Sequence, residues 1–119
     1  MSLSTSSGSS FTTSLWRIDL ATAVRPQEAR ELIQVHGATI IQTPLDTKKE
    51  EADGALLTAD SAPFAIRTAD CMPLVMMTDQ KALALHVSRK SLVAGLLDAV
   101  PDVIEPTQLT HIFIGPHIC

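Results

Sequence analysis

The sequence predicts an α+β domain, and three observations support that fold class. The chain has 119 residues, a length typical of one domain. Hydrophobic residues make up 45% of it and charged residues 18%, a balance that excludes a chain disordered throughout. Short apolar runs bounded by turn residues accompany two amphipathic segments, so we expect about five to seven strands and two helices.

Charge and cysteine content narrow the class of protein further. The net charge of -4 argues against binding to a nucleic-acid backbone, which needs a surplus of Lys and Arg. Neither a run of about 18 apolar residues nor a secretory signal is present, so we expect no membrane partner. The two cysteines, Cys71 and Cys119, cannot form a disulfide framework, and a soluble cytoplasmic protein is therefore expected.

The N-terminal region is expected to contain a tail and one strand. Residues 1–14 are nearly all Ser, Thr and Gly, which cannot bury apolar surface, so we predict a disordered tail. Residues 15–119 would then form a single domain. Within it, the segment from Ser14 to Leu20 is predicted as the first strand because it supplies several apolar side chains.

The next elements are predicted as a helix, a strand and a loop. Proline is tolerated in a first helical turn, and apolar residues share one side of the segment from Pro26 to Gln34, which predicts a short helix. The β-branched run from Ala38 to Thr43 predicts a strand. The charged segment from Pro44 to Ala52 is expected to be a solvated loop.

The second half of the chain is predicted to contain most of the strands. Four apolar runs bounded by turn residues each predict a strand: Gly54–Thr58, Phe64–Thr68, Leu74–Thr78 and Ala82–His86. The segment from Ser88 to Val100 has apolar residues at helical spacing, so we predict a helix that Pro101 ends. His111 to Ile114 is predicted as the last strand, before a turn at Gly115 and Pro116.

Three potential metal ligands lie beside predicted strands: His36, Cys71 and His86. They are separated by 35 and 15 residues, which is not a local zinc-finger spacing, so the fold would have to bring them together. Three imidazole and thiolate ligands would leave the fourth position of Zn²⁺ open, as in catalytic sites, and Asp70 could orient an imidazole. The residues alone leave open the alternative of a buried cysteine and two structural histidines.

Five sequence blocks together resemble one known family. They occur in the order Gln34-Val35-His36-Gly37-Ala38, Ala52-Asp53-Gly54-Ala55-Leu56-Leu57-Thr58, Thr68-Ala69-Asp70-Cys71-Met72-Pro73-Leu74, Leu85-His86 and Ile114-Gly115-Pro116. Over residues 34–116 the chain is similar to the bacterial laccase-domain family, also called the multicopper polyphenol oxidoreductase family. The resemblance implies a layered α/β/β/α sandwich with mixed β-sheets, here in a minimal version.

The resemblance also implies a site and an activity. His36, Cys71 and His86 would bind zinc, with copper as the alternative metal, and these residues with Asp70 would form the catalytic group. Many members of the family are described as purine nucleoside phosphorylases with adenosine deaminase as a side activity. The implied reaction converts adenosine, inosine or methylthioadenosine and phosphate into a free base and a sugar 1-phosphate.

The chain departs from the family pattern at two points. The family typically has His-Ala-Gly-Trp-Arg-Gly where this chain has His86-Val87-Ser88-Arg89-Lys90-Ser91, so Arg89 and Lys90 become the expected phosphate-binding cations. Family members are also longer. Because the missing parts would leave sheet edges uncovered, we expect a homodimer or a higher homo-oligomer.

Three other functions remain open at the level of sequence. A short, divergent chain could be a catalytically inactive or truncated relative that binds only a metal or a nucleoside. A copper polyphenol oxidase would need a weak axial ligand, for which Met72, Met76 and Met77 are candidates. A cysteine hydrolase would use Cys71 as a nucleophile activated by a histidine, without a metal.

Overall fold

The structure, a computed structural model, describes residues 10–13, 15–20, 29–42 and 50–117. Within these ranges the strands are β1 (Ser10–Thr12), β2 (Arg17–Asp19), β3 (Ile40–Gln42), β4 (Gly54–Thr58), β5 (Met72–Met77), β6 (Lys81–Val87) and β7 (His111–Ile114). The helical elements are the α-helix α1 (Arg89–Ala94) and the 3-10 helices Leu97–Asp102 and Pro106–Gln108. The predicted α+β class is therefore confirmed.

The described strands form two sheets. β1 and β2 make a two-stranded antiparallel sheet, and the other strands form a five-stranded sheet in the order β3-β4-β6-β5-β7. β3 runs parallel to β4, whereas all other neighbours in this sheet are antiparallel, so the sheet is mixed as expected. Because β4 and β5 both run against β6, the residues preceding β4 and β5 lie at the same end of the sheet as the last residues of β6.

The central strands of the five-stranded sheet, β4, β5 and β6, bury residues on both faces, and the alternation of side chains divides the core in two. The first core contains Ala55, Leu57, Val75, Met77, Ala82 and Ala84 from this sheet, with Trp16, Ile18, Leu32, Ala52 and Phe64 from outside it. The second core contains Leu56, Leu74, Leu83, Leu85, Val87, Leu96, Val100 and Ile104. The helical segment after β6 thus covers one face, and segments from earlier in the chain cover the other.

The helical segment after β6 differs from its prediction as one helix from Ser88 to Val100. Ser88 caps α1: its side chain accepts the N–H of Ser91, and the Ser91 side chain accepts the N–H of Ser88. Gly95 ends the helix in the left-handed conformation at φ 99°, a conformation that costs glycine little. The chain continues as a 3-10 helix that contains Pro101, so the prediction that Pro101 ends the helix is wrong.

The helix predicted from Pro26 to Gln34 is wrong over its described part, residues 29–34. Arg30 forms an isolated parallel bridge with Phe64, and Ile33 forms one with Glu51. The N–H of Ile33 donates to the carbonyl oxygen of Glu50 at 2.9 Å, a partner far along the chain. Pairing with distant segments has overridden the local helical preference. Residues 26–28 lie outside the described ranges.

The N-terminal prediction is also corrected. β1 falls within the predicted tail and pairs with β2, so residues 10–12 are ordered here; residues 1–9 and 14 lie outside the described ranges. The Thr13 hydroxyl accepts the N–H of Trp16 at 2.9 Å and closes the turn between these strands. The strand predicted from Ser14 to Leu20 is correspondingly shorter, at Arg17–Asp19.

The later strands agree better with the sequence. β4 and β7 have the predicted bounds, β5 begins two residues before the predicted Leu74 and ends at Met77, and β6 extends the predicted run by one residue at each end. The run from Phe64 to Thr68 is not a strand, since only Phe64 makes a bridge there. Of the predicted charged loop, residues 44–49 lie outside the described ranges, and Ala52 is buried. No described helix has the length and apolar character needed to cross a membrane.

Candidate metal centre

The fold brings together the three residues that the sequence proposed as metal ligands. The ligand atoms of His36, Cys71 and His86 lie within 4.8 Å of one another. The two imidazole rings are tilted by 58°, with centroids 5.4 Å apart. His86 is buried, Cys71 is half-buried and His36 is exposed, so the cluster reaches from the protein interior to solvent.

Sheet register explains this convergence. His86, near the end of β6, is opposite Pro73 of β5, and Cys71 directly precedes that strand. On the other side, Gly54 of β4 is opposite Leu85, which places Asp53 beside His86. The N–H of His86 accordingly donates to the backbone carbonyl of Asp53 at 2.7 Å.

A buried carboxylate, that of Asp53, connects the two histidines. Its Oδ1 accepts the backbone N–H groups of Val35 at 3.0 Å and Gly37 at 3.1 Å, and its Oδ2 accepts that of His36 at 3.1 Å. Oδ2 also lies 2.8 Å from Nδ1 of His86. One side chain therefore contacts the loop that carries His36 and the ring of His86.

The hydrogen bonds determine the ionisation of this carboxyl group. Burial alone would raise the pKa of Asp53, because a charge is costly to remove from water. The hydrogen bond with His86 and the three backbone N–H groups outweigh burial, and the pKa of Asp53 lies below its ordinary value. The carboxylate is therefore ionised at neutral pH.

The loop around Asp53 has an unusual backbone. His36 has φ 62° and is the non-glycine residue with a positive φ among the described residues. This left-handed conformation costs an ordinary residue about 1–2 kcal/mol. It turns the N–H groups of three consecutive residues toward one anion, an arrangement known from anion-binding concavities in other proteins. The hydrogen bonds to Asp53 offset the conformational cost.

A second link joins this loop to the segment that leads to Cys71. The side-chain amide of Gln34 donates to the carbonyl oxygen of Arg67 at 2.6 Å, and its oxygen accepts the N–H of Arg67 at 3.0 Å. Further along, the Thr68 hydroxyl donates to the backbone carbonyl of Cys71. Gln34 thus ties together the parts of the chain that carry His36 and Cys71.

The structure corrects the expectation for Asp70 and locates the two predicted cations. Asp70 is exposed, and the orienting position expected for it beside an imidazole is occupied by Asp53. Asp53 lies within one of the family-like sequence blocks, but no role was predicted for it from the sequence. A charged residue directly before a strand of mostly apolar residues was the available signal. Arg89 and Lys90 are exposed as the first two residues of α1.

The donor set fits a small cation. A tetrahedral site with zinc–ligand distances of about 2.0–2.3 Å has ligand atoms roughly 3.3–3.7 Å apart. The three ligand atoms lie within 4.8 Å of one another, so they would have to move closer together to bind an ion of this size. Imidazole and thiolate suit both zinc and copper, and the buried negative charge of Asp53 favours a cation nearby.

The methionines considered as axial copper ligands pack in or against the two hydrophobic cores. Met77 is fully buried in the first core. Met72 and Met76 pack against the second core, on the face of the sheet opposite to the first core. His86 faces the first-core side, since it alternates with Leu85 and Val87. The methionine positions therefore give no support to a blue-copper site.

Comparisons with known proteins agree with this architecture. A family model described as multi-copper polyphenol oxidoreductase laccase matches residues 12–119. Comparison with the curated proteins finds no match. Among solved structures, the chain is similar to Neisseria meningitidis protein NMB0706, of family DUF152, with a TM-score of 0.65 and 21% identity. That match covers 76% of this chain and 39% of the other.

A second solved structure leads to the same conclusion. YlmD from Geobacillus stearothermophilus is similar with a TM-score of 0.60 and 19% identity, over 77% of this chain and 40% of that one. At these identities the likeness is one of fold. The chain spans about two fifths of the length of both structures.

Proposed function

Since the chain belongs to the multi-copper polyphenol oxidoreductase laccase family, we propose that its cluster of His36, Cys71 and His86 binds zinc and serves as the active site of a purine nucleoside phosphorylase. The proposed substrates are adenosine, inosine or methylthioadenosine together with phosphate, with adenosine deamination as a side activity. The convergence of three ligands from distant parts of the chain, within 4.8 Å, is the observation that carries the proposal.

Phosphorolysis makes two demands on a site. An oxygen of phosphate forms a bond to C1′ of the sugar while the bond from C1′ to the purine nitrogen breaks. The electron pair of that bond goes to the base, which takes up a proton. The site must therefore hold an anion next to the sugar and stabilise charge that develops during the reaction.

The residues of the cluster supply a buried part and a part that faces solvent. His86 is buried and held by Asp53, so its ring has a fixed orientation. Cys71 and the exposed His36 lie on the solvent side, where a substrate can approach. When bound, zinc would supply a Lewis acid at this point.

Arg89 and Lys90 are the proposed phosphate-binding cations. Both are exposed, and they follow His86 by only three and four residues. A positive charge in this position offsets the charge of an approaching phosphate. Lysine binds phosphate as a point charge rather than through a planar pair of donors, so we assign Lys90 a less directional contact than Arg89.

Release of free base tests the proposal directly. Protein is incubated with adenosine, with and without phosphate, and the products are separated by liquid chromatography. We expect adenine and ribose 1-phosphate only when phosphate is present, with loss of activity in Cys71→Ala and not in the matched Cys119→Ala. Release of adenine at the same rate without phosphate would show hydrolysis and contradict the proposed reaction. Zinc binding without turnover would identify a binding-only relative.

One observation favours a second candidate, a cysteine hydrolase. The carboxylate of Asp53 orients His86 at 2.8 Å, and Cys71 lies within 4.8 Å of His86, so a nucleophile, a base and an orienting acid are all present. Such an enzyme would be active in the presence of a chelator and would form a covalent adduct at Cys71. Activity lost on chelation and restored by zinc would exclude it.

A further inference from the structure

We infer that Asp53 is the positioning residue of this site and that its single carboxylate sets the placement of both histidines. It contacts the ring of His86 directly and reaches His36 through three backbone N–H groups. Two measurements test this inference. One of them, zinc affinity, rests on the metal-binding part of the proposed function, and neither depends on the phosphorylase reaction.

The contact with His86 determines which ring nitrogen is free. A carboxylate can only accept hydrogen bonds, so Nδ1 of His86 must carry the proton in the 2.8 Å contact with Asp53. In the neutral ring the lone pair then belongs to Nε2. A neutral histidine bound to a metal typically donates its other ring N–H to such a partner, which fixes both the tautomer and the orientation of the ring.

The contact with His36 acts through the backbone. The His36 side chain is exposed, so the path of its loop determines where the ring lies. That loop holds His36 at φ 62° only while three N–H groups share the acceptor Asp53. Without the acceptor, the cost of the left-handed conformation is no longer offset, and the loop is free to relax.

Asp53→Asn is the perturbation that preserves shape and changes the pattern of donors and acceptors. Asparagine has one acceptor oxygen and one donor NH₂ group in place of two acceptors. Its single carbonyl oxygen cannot accept all four hydrogen bonds that the Asp53 carboxylate makes, and its NH₂ group would face another N–H donor. The matched control is Asp60→Asn, which removes an exposed carboxylate from the turn after β4, at the opposite end of that strand.

The first readout needs no metal. In the metal-free wild-type protein, long-range ¹H–¹⁵N correlation spectra should show His86 as the tautomer with the proton on Nδ1. The same tautomer should persist in Asp60→Asn and be lost in Asp53→Asn. Wild-type His86 with its proton on Nε2 would overturn the inference even if the variant failed to fold.

The second readout is zinc affinity, measured in competition with a chromophoric chelator. Loss of a carboxylate that orients a metal ligand typically weakens affinity about 10- to 100-fold. We expect a loss in this range for Asp53→Asn and none for Asp60→Asn. A folded Asp53→Asn protein that bound zinc as tightly as wild type would refute the positioning role. If wild type itself bound no zinc, the proposed function would fail, and the tautomer measurement would still decide the inference.

Discussion

Replacing Gln34 with alanine should loosen the link between the loop of His36 and the segment that leads to Cys71. The side-chain amide of Gln34 makes two hydrogen bonds with the backbone of Arg67, at 2.6 and 3.0 Å. The ion pair between Arg67 and Glu31 also joins these segments at 2.8 Å, but the Arg67 side chain is 70% exposed, and exposed pairs contribute little. Gln34 therefore provides the main side-chain link.

The expected magnitude follows from those two bonds. An intramolecular hydrogen bond contributes about 0.5–1.5 kcal/mol to stability, and exposed bonds lie toward the lower end, so Gln34→Ala should lower the free energy of unfolding by about 1–2 kcal/mol. Urea denaturation of the metal-free protein measures this change. The matched control is Gln80→Ala, at an exposed turn glutamine whose side chain makes no hydrogen bond to any described residue.

A second variant separates hydrogen bonding from packing. Gln34→Glu keeps the shape and the acceptor for the N–H of Arg67, but places a carboxylate oxygen against the carbonyl oxygen of Arg67. This variant should be less stable than wild type at pH 7. Repulsion from the carbonyl oxygen raises the pKa of the glutamate in the folded state, so the difference should shrink as the pH falls toward its unfolded value of about 4.3, because a protonated glutamate can donate to that oxygen. Equal stability of Gln34→Ala and Gln80→Ala would refute the assigned link.

Three other outcomes follow from the same structure. Gly54→Ala should destabilise the protein by about 1–3 kcal/mol in urea denaturation, because the added Cβ would lie 2.6 Å from Leu85 Cδ2 and 3.0 Å from Ile40 Cγ1; unchanged stability would contradict this packing. The pKa of Asp53 is lower in the folded protein than its ordinary value of 3.8, so the ionised carboxylate stabilises the fold. This contribution is fully present above pH 3.8 and is lost as the pH falls from 3.8 through the lower pKa of the folded state. Urea titrations between pH 7 and 3 should therefore show a steeper acid loss for metal-free wild type than for Asp53→Asn. The homodimer or higher homo-oligomer remains a prediction, and light scattering that gave a monomer of 12.8 kDa would contradict it.

The sequence was most informative where local pattern and structure coincide. The apolar runs of β4 and β7 have turn residues on both sides, so their bounds could be predicted from the chain alone. The helix predicted over residues 26–34 failed in its described part because Arg30 and Ile33 pair with segments far along the chain. Such long-range pairing leaves no local signal.

The metal ligands of the site could be predicted from the sequence, but the carboxylate that orients them could not. The blocks around His36, Cys71 and His86 suggested a cluster, and the fold brings their ligand atoms within 4.8 Å. The orienting carboxylate was assigned to Asp70, next to the cysteine, whereas it belongs to Asp53. Only the register between β4 and β6 places that residue beside His86, and register is a property of the folded sheet.

The metal content of untagged protein, measured by plasma mass spectrometry, tests the central claim most directly. Wild type, Cys71→Ala and the control Cys119→Ala would be purified side by side without added metal. We expect about one zinc per chain in wild type and in the control, and none in Cys71→Ala, because a site of three protein ligands that loses one binds zinc far more weakly. Absence of metal from all three proteins, or equal zinc in Cys71→Ala, would contradict a metal centre formed by His36, Cys71 and His86.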